Sequence, residues 1–257
     1  MTTSVVFLHA HPDDEAIFTA GTMARLALAG HRVVLIVATG GELGQPHPDS
    51  AGLDRLAATR RAETETAASV LGVARVEFLG YHDSGMRGDP ANEAPGSLWS
   101  ADPAVVAERV ASILREEAAG ALVIYDESGI YGHPDHVQVH RTGTLAAAQA
   151  GVATVYESTI DREYLHFVET HLVEEAILAG DLGLARSHLG MPTVMVTATV
   201  DVAGQLHRKR AAMAAHASQI PETTATFQLG FEQFAAVYGW EWFIRRGPPG
   251  PIDDLAF

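Results

Sequence analysis

The chain has 257 residues and 47% hydrophobic content, enough to bury the core of one large α/β domain or two small ones. A net charge of −15 and a pI near 5.2 argue against a nucleic acid or an anionic membrane as partner and favour a small molecule. With no cysteine there are no disulfides, Fe–S clusters, thiolate zinc sites or cysteine nucleophile, so any metal must be held by His, Asp or Glu. Nothing reads as a signal peptide, and the most apolar run, Val33 to Ala38, is strand-sized; a cytoplasmic location is the expectation.

Val5 to Leu8 has the β-branched and aromatic composition of a strand buried on both faces. Glu15 to Ala29 carries apolar residues at helical spacing and ends at Gly30, and Arg32 to Ala38 is a second buried strand. The alternation continues with a helix over 55–71, a strand over 76–79, and a helix over 103–118 that Asp102 caps and Pro103 opens. A strand over 121–125, a helix over 134–150 and a strand over 154–156 follow. Strands alternating with helices predict a Rossmann-like, doubly wound, mostly parallel sheet. Beyond Asp161 the pattern predicts helical stretches to about 179, a strand over 193–200, a helix to about 216 and a late aromatic strand at Trp240 to Ile244. The chain reads as one α/β domain: residues 1–160 form the core, and 161–257 complete the sheet and cap the site. The loops 40–53 and 80–101 both follow strands, which places them on the ligand-binding edge of a parallel sheet.

Two motifs carry the chemistry. His9-Ala10-His11-Pro12-Asp13-Asp14-Glu15 follows the first strand, and Tyr131-Gly132-His133-Pro134-Asp135-His136 follows the fourth. Three adjacent carboxylates repel one another unless a cation or hydrogen bonds offset them. In each motif two polar residues three positions apart share one face of a first turn, with a proline at the helix start. If strands one and four are neighbours at the switch point, His11, Asp14 and His136 surround one divalent cation and leave positions for water and substrate. Asp13 then stands beside the metal as a base, and His133 is placed to donate a proton or steady an oxyanion. Asp135 is expected to hydrogen-bond to His133, and Tyr131 to add its hydroxyl to the oxyanion. Glu15 reads as a helix N-terminal charge that braces His11. The third copy, His47-Pro48-Asp49, reads as an ordinary turn.

These two motifs together resemble the PIG-L/LmbE family of metal-dependent N-deacetylases. The resemblance implies a zinc-dependent hydrolase that removes an acyl group, foremost acetyl, from an amino-sugar-like small molecule. It implies His11, Asp14 and His136 as zinc ligands, Asp13 as general base, His133 with Asp135 and Tyr131 at the oxyanion, and no nucleic-acid or membrane partner. Gly41-Glu42-Leu43-Gly44 is similar to a family loop that brings a carboxylate to substrate, which assigns Glu42 there. Arg60-Arg61-Ala62-Glu63 resembles an Arg-x-x-Glu element, and Asp83-Ser84-Gly85-Met86 an Asp-Ser-Gly-Met loop. By that likeness Arg60 and Asp83 hold sugar hydroxyls, with Met86 beside them. The stretch Arg210 to Gln219 is similar to a late helix of the family. Ile17 and Phe18 stand where sugar deacetylases carry smaller or more polar residues, which makes Phe18 one apolar wall of the pocket.

Other readings keep the same residues. An amidase of a thiol conjugate of the mycothiol type, or a deacylase of a natural-product glycoside, uses the same site on a different substrate. A non-catalytic sugar- or nucleotide-binding module lacks the expected Gly-x-Gly-x-x-Gly after strand one. A ferrous oxygenase ranks last, because the strand-rich pattern such sites use is absent. The donor set accepts Zn²⁺ and Fe²⁺ alike, and the sequence sets no oligomeric state.

Overall fold

Ser4–His9 (β1) is buried at every position, which requires cover on both faces of the strand. In the computed structural model, which describes residues 2–44, 53–171 and 189–256, that cover comes from helices on either side of a seven-stranded sheet. Val6 and Leu8 face one core with Val106, Val110 and Val139, whereas Val5 and Phe7 face the other with Met23, Leu26, Leu71 and Met213. The alternation is the period of two that a strand imposes.

The elements in chain order are β1, a π-helical turn Glu15–Thr19, α1 (Ala20–Leu28), β2 (Arg32–Thr39), α2 (Leu53–Leu71) and β3 (Arg75–Tyr81). Then come α3 (Pro103–Glu116), β4 (Ala119–Tyr125), the single turn α4 (Gly129–Gly132), α5 (Pro134–Ala150), β5 (Val155–Thr159) and α6 (Arg162–His171). The last described part holds β6 (Ala198–Asp201), α7 (Leu206–Ala215), α8 (Ala225–Gln228), α9 (Phe231–Tyr238) and β7 (Trp240–Arg246). Sheet order is β3-β2-β1-β4-β5-β7-β6; β1 to β5 are parallel, and β7 runs antiparallel to both β5 and β6. Because β1 pairs with β2 on one side and β4 on the other, the order reverses there, and a crevice opens beyond His9 and Tyr125.

Expectation and structure agree closely through residue 159, with one change. The helix expected from Glu15 starts as a π-helical turn, and the regular α-helix begins only at Ala20. Within that turn Thr19 Oγ1 lies 3.4 Å from the Glu15 carbonyl and 2.9 Å from His9 Nε2. The strand expected over 193–200 shrinks to Ala198–Asp201. Glu163 Oε2 accepts the Thr193 backbone N–H at 2.6 Å, and Thr193–Met195 forms a 3₁₀ turn instead of joining the ladder. The expected helical stretch continues only to His171 within the described residues; 172–179, and His47-Pro48-Asp49, lie outside them.

Candidate metal centre and active site

Residues of the turn after β1, His11 and Asp14, meet His136 from beyond β4 in the crevice. His11 Nδ1 lies 3.4 Å from Asp14 Oδ2, His136 Nε2 lies 3.3 Å from that same oxygen, and the two ring nitrogens are 3.3 Å apart. All three side chains are buried. Donor-to-metal distances of about 2.0–2.1 Å in a tetrahedral site separate the donors by about 3.4 Å, so this triangle fits one face of a divalent-cation polyhedron. Two imidazoles and a carboxylate are the donor set such a cation takes.

Each donor is oriented from behind. Asp14 Oδ2 accepts the His11 backbone N–H at 2.8 Å and the Tyr125 hydroxyl at 2.7 Å. Burial opposes ionisation of Asp14, yet the His136 and His11 imidazoles hold its carboxyl well below the ordinary range. Tyr125 also stacks on the His136 ring, with centroids 4.1 Å apart and planes within 10°. His11 turns its other nitrogen, Nε2, to Asp135 Oδ2 at 3.2 Å. Gly129 lets the loop after β4 cross the ligand helix: its φ is +66°, and a Cβ there would stand 2.7 Å from His136 Cβ.

The structure corrects the pairing expected for Asp135. Its carboxylate serves His11 and accepts from Ser84 N at 2.9 Å and Ser84 Oγ at 2.5 Å, while His133 Nδ1 is 4.0 Å away. His133 instead caps α5, its Nδ1 accepting the Asp135 backbone N–H at 3.1 Å. That bond occupies Nδ1 as an acceptor, so a neutral ring carries its proton on Nε2. Burial, reinforced by repulsion from His11 and His136, lowers the His133 pKa to about 2 and keeps the ring neutral. In that tautomer His133 offers an Nε2–H donor. The Tyr131 hydroxyl lies 3.3 Å from His136 Nε2, and burial raises its pKa well above the ordinary value, so it stays protonated.

Asp13 stands beside the donor triangle. Burial pushes its carboxyl up to about 6, against the pull of the Arg60 guanidinium, whose Nη2 is 3.0 Å from Asp13 Oδ2. A carboxylate with a near-neutral pKa at such a place suits proton transfer. His11, Asp13, Asp14, Tyr131 and His133 line a cleft of about 460 Å³.

Residues 6–147 match the family model described as PIG-L, GlcNAc-PI de-N-acetylase. The chain belongs to the PIG-L family. It is 35% identical over 279 residues to the 1D-myo-inositol 2-acetamido-2-deoxy-alpha-D-glucopyranoside deacetylase of Salinispora arenicola, covering 98% of this chain and 90% of that one. The deacetylase of the same name from Thermobifida fusca is 34% identical and is covered over 98% of both chains. Among solved structures, N,N'-diacetylchitobiose deacetylase from Pyrococcus horikoshii superposes with a TM-score of 0.63 at 24% identity, over 98% of this chain and 88% of that one. The hydratase GalB from Pseudomonas putida superposes almost as well, with a TM-score of 0.62 at 16% identity over 97% and 98% of the two chains. The fold is therefore shared with a protein of different chemistry, and the site must carry the functional argument.

The remaining expected residues of this PIG-L protein divide between two cavities. Phe18, Arg60, Asp83 and Met86 line the metal cleft. Phe18 stands edge-on to His136, with ring centroids 6.3 Å apart. Met86 is 44% exposed and forms part of the rim. Asp83 Oδ1 accepts the Gly85 N–H at 2.8 Å and lies 3.7 Å from His11 Nε2. Arg60, while lining the cleft, is buried and donates to the carbonyls of Gly41 and Pro12 as well as to Asp13. Glu42 lines the adjoining cavity of about 450 Å³, where His82 Nδ1 contacts its Oε1 at 2.6 Å. Glu15, expected to brace His11, pairs with His216.

Sequence reasoning missed Tyr125, His9 and His216. Tyr125 ends a buried strand, where an aromatic reads as core; its signal was a polar-tipped ring at the ligand-facing end of β4. His9 bridges the Tyr125 hydroxyl at 3.0 Å and Thr19 Oγ1 at 2.9 Å, with burial lowering its pKa to about 4.

Proposed function

We propose that this chain is a zinc-dependent N-deacetylase acting on an acetylated amino-sugar conjugate of the N-acetylglucosaminyl-inositol kind, with the whole chain working as one domain. The observation that carries the reading is the donor triangle of His11, Asp14 and His136, with edges of 3.3–3.4 Å, on the wall of a cleft that also holds Asp13, Tyr131 and His133. The names of the relatives support the substrate class.

A divalent cation held by His11, Asp14 and His136 supplies Lewis acidity toward water and the amide carbonyl. Asp13 takes a proton from the attacking water as its oxygen bonds to the carbonyl carbon. Arg60, fixed on Oδ2, leaves Oδ1 as the accepting atom. As the carbonyl oxygen gains charge, the His133 Nε2–H and the Tyr131 hydroxyl donate to it. Asp13 then returns its proton to the amine nitrogen as the C–N bond breaks, releasing acetate and a free amine. Burial of the site strengthens each of these interactions over its value in water.

The experiment is amine release from 1D-myo-inositol 2-acetamido-2-deoxy-alpha-D-glucopyranoside, assayed before chelation, after it, and after adding Zn²⁺ or Fe²⁺ back. Loss and return of turnover are expected. Turnover that survives complete removal of metal contradicts the proposal.

A further inference from the structure

Three sequence features take no direct part in that chemistry: Glu15, the glutamate of Arg60-Arg61-Ala62-Glu63, and the late stretch ending at Gln219. They converge on Asp13. Its backbone φ is +102°, a region that residues with side chains rarely occupy and that persists only where the surroundings hold it.

Two arms hold it. From α2, Arg60 donates to the Pro12 carbonyl and to Asp13 Oδ2. From the segment after α7, His216 Nε2 contacts Glu15 Oε1 at 2.6 Å, and Glu15 Oε2 accepts the Asp13 backbone N–H at 3.1 Å. Glu15 and His216 are both fully buried. Among the described residues the other ring nitrogen of His216 has no hydrogen-bond partner, and Glu15 is the ring's one hydrogen-bond partner. The second arm is itself anchored to α2, because Ser218 N and Oγ donate to Glu63 at 2.8 and 2.7 Å. Arg60 and Glu63 are three residues apart on one helix face, so one turn of α2 supplies the first arm and fastens the second.

We infer that Glu15 and His216 are positioning residues for Asp13. They act through its backbone amide, holding the carboxylate at the cleft in a conformation the chain would otherwise leave. The inference rests on the proposed role of Asp13 as the base.

The test compares His216→Asn with His216→Gln in the metal-loaded full chain. The Asn amide reaches only the place of Nδ1, which has no partner, whereas the Gln amide reaches the place of Nε2 and can still donate to Glu15. His216→Asn is expected to lower kcat about 10²-fold, the size of effect a misplaced catalytic group produces. KM should stay within about threefold, with metal content unchanged. His216→Gln should keep kcat within about fivefold of wild type, since the link to Glu15 survives. Hydrogen–deuterium exchange of a peptide spanning residues 10–18 should accelerate in the Asn variant and not in the Gln variant.

Equal losses in both variants, a loss expressed in KM or metal content, or wild-type kcat in the Asn variant would overturn the inference. If the Asn variant does not fold, Glu63→Ala, at a half-buried position, loosens the same arm. It should lower kcat about tenfold at constant KM, and an unchanged kcat overturns the inference equally. Asp13→Asn, assayed alongside, separates the two readings: wild-type turnover there removes the base assignment itself, whatever the His216 variants do.

Discussion

Asp135 Oδ2 lies 3.2 Å from His11 Nε2 and 4.0 Å from His133 Nδ1. The carboxylate thus orients the proposed metal ligand His11 rather than His133, the proposed oxyanion donor next to it in sequence. A carboxylate behind a ligating imidazole fixes its tautomer and raises its basicity. Asp135→Asn should weaken metal binding about 10–100-fold, read by competition with a chelator of known affinity. Unchanged metal affinity with a purely kinetic defect would return Asp135 to the role the sequence suggested, as partner of His133.

Tyr131 sits in the turn between β4 and α5, where Ile130 takes φ +63° and turns the chain back over the ligand helix. Among the described residues its hydroxyl has no carboxylate at hydrogen-bond distance and lies 3.3 Å from His136 Nε2; with that nitrogen on a metal, the hydroxyl would be available to a substrate oxygen. Tyr131→Phe should lower kcat by about 10²-fold with metal retained, the loss typical of one oxyanion donor. A variant with wild-type kcat and a raised KM would make the hydroxyl a binding group only.

A pH-dependent contribution to stability lies far from the site. Glu117 Oε2 accepts from Arg32 Nε at 2.6 Å, and Glu117 Oε1 from Arg75 Nη1 at 2.9 Å. The Arg32 hydrogen bond, aided by Arg75, holds the Glu117 carboxyl below its ordinary value of 4.5. A depressed carboxyl stabilises the fold above the unfolded value and loses that contribution as pH falls through the folded one. Glu117→Gln should therefore lower the melting temperature at pH 7 and make no difference at acid pH below the folded value. With Arg32 half exposed, the effect at pH 7 should stay within about 1 kcal/mol. A difference that grows toward low pH would contradict this sign.

The two motifs were legible because each combined residue chemistry with position: polar clusters placed where one buried strand ends and a helix begins. The doubly wound order was legible for the same reason, since alternating strands and helices leave few topologies. What escaped notice was pairing at long range. Asp135 has His133 two residues away and His11 124 residues away, and sequence proximity favoured the wrong partner. Glu15 and His216 are separated by 201 residues and meet only once α7 packs beside α2. Arg60 was placed at the cleft by its motif, but nothing in the sequence shows that it also donates to the carbonyls of Pro12 and Gly41. The π-helical turn was hidden because Glu15 to Ala29 carries its apolar residues at ordinary helical spacing.

In the proposed reaction Asp13 moves the proton while His11, Asp14 and His136 hold the metal. The most direct test is the single-turnover rate of Asp13→Asn at one metal per chain, with the N-acetylglucosaminyl-inositol substrate. We predict full metal loading with a rate reduced about 10²–10⁴-fold, the range general-base catalysis contributes. A near-normal rate with metal bound would exclude Asp13 as the base.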